Sequence, residues 1–151
     1  MTNRLIIPLL CAASVVAFAR GNTGHKSTLA ASSTERHAKV DLSSKFTVKA
    51  GSVVEFTLDV RNHTPKMVEL RFPNGKTHDF YVKDAGGKEV WRWSSSRMFT
   101  QGMQNKLIKA KDVATFSEGW DASRHHGKFT ATAVLASDNH PIEERVEFEL
   151  K

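Results

Sequence analysis

From Lys39 to the C-terminus the apolar residues recur with a period of two, and that period most constrains what the chain can fold into. Val54, Phe56, Leu58 and Val60 alternate with Glu55, Thr57, Asp59 and Arg61. An extended backbone places the first set on one face and the second on the other. Val68, Leu70 and Phe72 alternate with Glu69 and Arg71, and Phe80 and Val82 alternate with Asp79, Tyr81 and Lys83. Phe129, Ala131, Ala133 and Leu135 form a further apolar row, while Val146, Phe148 and Leu150 stand against Arg145, Glu147 and Glu149. Phe46 and Val48 predict a short opening strand. No stretch of about ten residues carries helical spacing, so nothing is available to cover a parallel sheet and the α/β architectures fall away.

The joints between these segments are rich in turn chemistry. Pro73-Asn74-Gly75-Lys76 predicts a tight hairpin with glycine at positive φ, and Asp84-Ala85-Gly86-Gly87 predicts a second. Asn62-His63-Thr64-Pro65 and Ser137-Asp138-Asn139-His140-Pro141 read as further turns. Asn62-His63-Thr64 also matches a glycosylation sequon, a short pattern common by chance, and the turn reading is favoured. Seven to eight short strands at regular spacing predict an all-β fold, an immunoglobulin-like antiparallel β-sandwich spanning residues 39–151.

The first residues obey a different rule. Arg4 precedes an uncharged run of 15 residues, Leu5 to Ala19, which Arg20 ends. A helix needs about 20 residues to span the hydrocarbon core. A charged start, an apolar middle and Ala17-Phe18-Ala19 form the pattern of a secretory signal peptide, residues 1–19, cut after Ala19. The expected location is therefore secreted or periplasmic, with membrane attachment only if this segment is retained. Cys11, the sole cysteine, lies inside it behind Leu10, a residue unsuited to lipoprotein processing. The mature chain then has neither disulfides nor thiol chemistry. Residues 20–38 lack apolar periodicity and read as a flexible leader.

The whole chain carries a formal charge of +6. From Lys39 onward 18 Lys and Arg face 15 Asp and Glu, a net of only +3 with the signs interspersed. That is not the concentrated basic face that tracks phosphates, so no nucleic-acid partner is expected. Seven histidines invite a search for metal sites. His125-His126 is the only adjacent pair, and neighbours on an extended chain point apart; no zinc-like spacing exists, and no metal or cofactor is expected. Ser94, Ser95 and Ser96 lack a Gly-x-Ser-x-Gly elbow, and Glu143 and Glu144 are adjacent on opposite faces. Nothing supports an enzyme.

One segment stands out. Lys88 to Thr100 holds Trp91 and Trp93 two apart, on one face of a strand, with Val90 and Arg92 on the other. The core is the favoured place for these tryptophans. The Ser94–Lys106 connection is instead long, with Met98, Phe99 and Met103 near its middle, and reads as a recognition loop. The candidate protein-binding residues are Trp93, Arg97, Met98, Phe99, Thr100 and Gln101, drawn largely from types enriched where proteins dock.

The runs Phe72-Pro73-Asn74-Gly75-Lys76-Thr77-His78-Asp79-Phe80-Tyr81-Val82, Gly87-Lys88-Glu89-Val90-Trp91-Arg92-Trp93-Ser94 and Arg97-Met98-Phe99-Thr100-Gln101 resemble the BsuPI family. Phe116 through Trp120-Asp121, with Gly127-Lys128-Phe129, is similar to its closing pattern. These are small bacterial domains named for an intracellular proteinase inhibitor. The resemblance implies an immunoglobulin-like sandwich that inhibits serine proteinases by protein–protein contact, and a monomer is expected. Three departures bear on the transfer. The signal peptide is at odds with an intracellular target. The turn Ile108-Lys109-Ala110-Lys111-Asp112 lacks the Pro-Gly often seen there. Phe129 stands where related sandwiches place a loop-pinning tyrosine, so a looser Asp121–Gly127 loop is expected. The alternative is a cell-envelope binding or adhesion module without inhibitory activity. An exposed aromatic row would favour that alternative with a sugar or polymer ligand, and a protruding apolar loop would favour a protein partner.

Overall fold

The computed structural model describes residues 41–151, so the expected signal peptide and leader lie outside the described residues. Nine strands follow in order: β1 (Leu42–Lys49), β2 (Val53–Asn62), β3 (Val68–Phe72), β4 (His78–Asp84), β5 (Glu89–Arg92), β6 (Gln104–Ile108), β7 (Val113–Asp121), β8 (Gly127–Leu135) and β9 (Ile142–Leu150). A single 3₁₀ turn, Trp93–Ser96, follows β5. All pairings are antiparallel: β1-β2-β7 in one sheet, β3-β6 in a second, and β5-β4-β8-β9 in the third. The β1-β2-β7 sheet faces the four-stranded sheet, with Phe46 and Phe56 on Phe80 and Trp120 on Trp91, and the fold is an immunoglobulin-like β-sandwich. No helix among the described residues is long and apolar enough to cross a membrane.

Period two places the core where the alternation indicates. Val54, Phe56, Leu58 and Val60 of β2 are completely buried, as are Phe80 and Val82 of β4. Between the layers runs a row of aromatic rings. Phe56 lies 5.8 Å from Phe80 and 5.2 Å from Trp91, Trp91 lies 6.0 Å from Trp120, and Trp120 lies 6.0 Å from Phe129. Burying such rings removes the most apolar area per residue, and their offset contacts add about 0.5–1.5 kcal/mol per pair. At one edge Ser44 of β1 donates to Glu144 of β9 at 2.5 Å, tying the two layers together.

Two expectations need correction. The strands among the described residues number nine, because Gln104–Ile108, expected within a loop, pairs with β3. Only Ile108 of β6 is buried, so no alternation betrays the strand in the sequence. Second, Asn74-Gly75 is no hairpin: β3 and β4 belong to different sheets, and the connection crosses between layers. The glycines at positive φ are Gly87, in the β4–β5 hairpin, and Gly127. Asn62-His63-Thr64-Pro65 is the expected turn between β2 and β3, here carrying the chain from one sheet to another, with Asn62 completely buried. Its Nδ2 donates to the carbonyls of Lys66, Ile108 and Lys109, while its Oδ1 accepts from Thr64. A side chain so engaged is inaccessible to glycosylation. The Asp121–Gly127 loop is held without a tyrosine, through Ala122 N–H to Ser52 O at 2.9 Å and His125 N–H to Ala122 O at 2.9 Å.

The outer edge of β3 is blunted by the β8–β9 connection. Asn139 Nδ2 donates to Glu69 O at 2.8 Å and its Oδ1 accepts from Arg71 N–H at 2.9 Å, while Asp138 N–H donates to Arg71 O at 2.8 Å. This fills positions that another chain's strand would otherwise occupy.

Candidate functional site

The expected recognition loop is built from a buried carboxylate outward. Asp79 lies on β4 beside Tyr81, on the face that alternation assigns to water, yet it is only 2% exposed. It is covered because β5 and the 3₁₀ turn fold over it. A bulge between Val82 and Lys83 places Arg92 opposite Tyr81 and Glu89 opposite Lys83, leaving Val90 as the extra residue. Arg92 Nη1 then donates to Asp79 Oδ2 at 3.0 Å, and Lys76 Nζ reaches the same oxygen at 2.6 Å. Ser94 contributes its hydroxyl at 2.6 Å and its backbone N–H at 3.2 Å. Burial alone would raise the Asp79 carboxyl; hydrogen bonds from Lys76, Ser94 and Arg92 overcome it and hold the group below its ordinary value. Arg92 also stacks over Tyr81 at 4.3 Å and pairs with Glu89 at 2.5 Å. Asp79 thereby fixes where the 3₁₀ turn begins.

That turn carries Trp93 inward, and the loop closes over it. The indole stacks on His78 at 4.4 Å, the Arg97 guanidinium lies over it at 4.6 Å, and Phe99 packs at 5.4 Å. Glu118 of β7 spans the stack, 3.3 Å from His78 Nε2 and 3.6 Å from Arg97 Nη2. Trp93 Nε1 is the one buried side-chain polar atom among the described residues without a hydrogen-bond partner. The far side of the loop is pinned by backbone. Gly75 N–H donates to Thr100 O at 2.8 Å, and a Cβ at residue 75 would lie 2.5 Å from Thr100 Oγ1 and 3.1 Å from its nitrogen. Only glycine allows this approach. Met98, between the two anchors, is fully exposed.

The candidate residues therefore divide by role. Arg97, Met98, Thr100 and Gln101 are exposed, and Phe99 is half-buried against the core. Trp93, expected among the contact residues, is a correction: it is buried beneath them as their support. Trp91 also faces inward and packs on the core. The loop is shorter than the expected Ser94–Lys106 connection, running from Arg97 to Met103 between the 3₁₀ turn and β6. Gly75, His78, Asp79 and Glu118 were not among the expected site residues. An open hollow of about 620 Å³ lies on the outer face of the four-stranded sheet, lined by residues of both charge signs, including Tyr81, Lys83, Arg145 and Glu147. Among the described residues no group of three or more His, Cys, Asp or Glu is placed to hold a metal.

The model of the BsuPI family, described as intracellular proteinase inhibitor, matches residues 40–140, two thirds of the chain. The chain belongs to the BsuPI family. No curated protein matches it. Among solved structures it is similar to a β-glucosidase from Kluyveromyces marxianus in complex with glucose, with a TM-score of 0.43 and 9% identity over 74% of this chain and 14% of that one. It is also similar to the putative ApaA protein from Bordetella pertussis, with a TM-score of 0.41 and 14% identity over 74% of this chain and 93% of that one. A β-glucosidase from Bifidobacterium adolescentis gives a TM-score of 0.38 and 15% identity over 73% of this chain, which spans 17% of that enzyme. The residues by which the chain resembles the BsuPI family coincide with the support just described. Asp79, Arg92 and Ser94 form the buried carboxylate network, and His78, Trp93, Arg97 and Phe99 form the stack.

Proposed function

We propose that this protein is an exported, non-enzymatic inhibitor of a serine proteinase that acts through the Arg97–Gln101 loop, with Met98 as the side chain that enters the specificity pocket. One observation carries the reading: Met98 is fully exposed on a loop anchored on both sides of it. A loop held in its bound shape loses little conformational entropy on docking, which favours tight binding over a flexible substrate. Arg97 is drawn toward Glu118 and the Trp93 ring, so the protruding group is apolar and suits an apolar pocket of the subtilisin-like kind better than a pocket with a buried acid. The family's printed description, intracellular proteinase inhibitor, supports the activity. Export is proposed from Arg4, the uncharged Leu5–Ala19 run and Ala17-Phe18-Ala19. The inward packing of Trp91 and Trp93, together with the protruding loop, favours a protein partner over a sugar or polymer ligand.

Titration of the purified protein against a subtilisin-like and a trypsin-like proteinase tests this, with intact mass followed alongside residual activity. Stoichiometric loss of the subtilisin-like activity, with the chain uncut, is expected. Replacing Arg97, Met98 and Phe99 together by Ala should weaken inhibition by about 2 kcal/mol or more. Inhibition that survives the triple replacement would remove the loop from the mechanism, and full activity of both enzymes would remove inhibition of either.

A further inference from the structure

We propose that Met98 is an oxidation site through which peroxide-class oxidants switch the loop off, an inference that rests on the inhibitory reading above. Residues 41–151 contain no cysteine, so within the domain methionine sulfur is the readily oxidised group. None of its three methionines fills the core: Met67 is 58% exposed, Met103 72% and Met98 101%. Met98 has the least cover, so its sulfur meets oxidant first. A peroxide O–O bond breaks, one oxygen is transferred to the sulfur, the sulfur loses two electrons, and the reduced peroxide leaves as water or alcohol.

The consequence follows from how the loop is held. No anchor uses sulfur: Phe99 and Arg97 rest on the Trp93 ring, and Thr100 is bonded to Gly75 through the backbone. Oxidation thus leaves the loop backbone in place and changes only its tip, from an apolar thioether to a polar sulfoxide. Moving that group into an apolar pocket strips its water without supplying a partner, which opposes docking. The fold is untouched because Met98 contributes nothing to the core.

Hydrogen peroxide treatment of the full chain, with peptide masses read over time, tests the site without any proteinase. Met98 should gain oxygen before Met67 and Met103; either of those oxidising first would overturn the assignment. Inhibition of a subtilisin-like proteinase should then weaken about 30-fold or more, and methionine sulfoxide reductase should restore it. The Met67→Leu/Met103→Leu variant should lose inhibition on oxidation as the parent does, whereas resistance of that variant would assign the effect elsewhere. Unchanged inhibition with Met98 fully oxidised would overturn the switch. A chain that oxidises first at Met98 but inhibits nothing before treatment supports the oxidation site and overturns the inhibitory reading.

Discussion

Gly75 shows how one residue can shape a site it does not enter. Its φ is ordinary, and what it provides is the absence of a side chain where β3–β4 backbone meets Thr100. Gly75→Ala should displace the loop, costing about 1–3 kcal/mol of stability by overpacking and weakening inhibition. Denaturant unfolding and a proteinase titration read the two effects, and Thr100→Ala in the same chain should restore part of each by removing the nearest clashing atom. Lys111 presents the opposite case. It is a non-glycine residue at φ 62 in the turn that lacks Pro-Gly. A side chain in the left-handed region costs about 1–2 kcal/mol relative to the right-handed one. Lys111→Gly should therefore raise the unfolding free energy read from denaturant titration, by less than that amount because the Lys111 Nζ bond to the His63 carbonyl is lost.

At the level of elements, β4 and β7 grip the loop through His78 and Glu118. Burial is the largest influence on His78 and lowers its proton affinity below the ordinary value of 6.5, against the opposing pull of Glu118 and Asp79 and with a further lowering from Arg97. The sign follows from linkage. The unfolded chain binds the proton at higher pH than the folded one, so stability is full above about pH 6.5 and falls as pH drops through the lower folded value. Unfolding midpoints at about pH 7.5 and about pH 5.5 should differ for the parent, and the part due to this residue should vanish in His78→Phe, which keeps a ring against Trp93. An equal pH response in both proteins would exclude His78 as its source.

For the molecule as a whole, the pairing pattern sets the folding regime. The β2–β7 ladder joins Val53 to Asp121, the β3–β6 ladder joins Val68 to Ile108, and the β4–β8 ladder joins His78 to Leu135. Such distant pairings require large loops to close before contacts compensate for the lost entropy. Stopped-flow refolding should fall in the millisecond-to-second range of sandwich domains. A microsecond rate would show that local contacts dominate instead.

The alternation of Val54–Val60 and of Phe129–Leu135 determined by itself that the chain makes strands with one buried face, because side-chain direction in a strand is fixed by the backbone. Around Arg97–Thr100 the residues follow no core-facing period, and Met98 there is fully exposed. Tertiary structure alone decided what lies beneath it. Alternation assigned Asp79 to solvent, and only the folding of β5 and the Trp93–Ser96 turn across that face buried it. Asn74-Gly75 has the local chemistry of a hairpin, yet β3 found its partner in β6, and the glycine serves a contact with Thr100. The distinction is one of range. Period and turn propensity act over a few residues, whereas the loop's support joins β4, β5 and β7, and which strands lie side by side is settled only when the two layers pack.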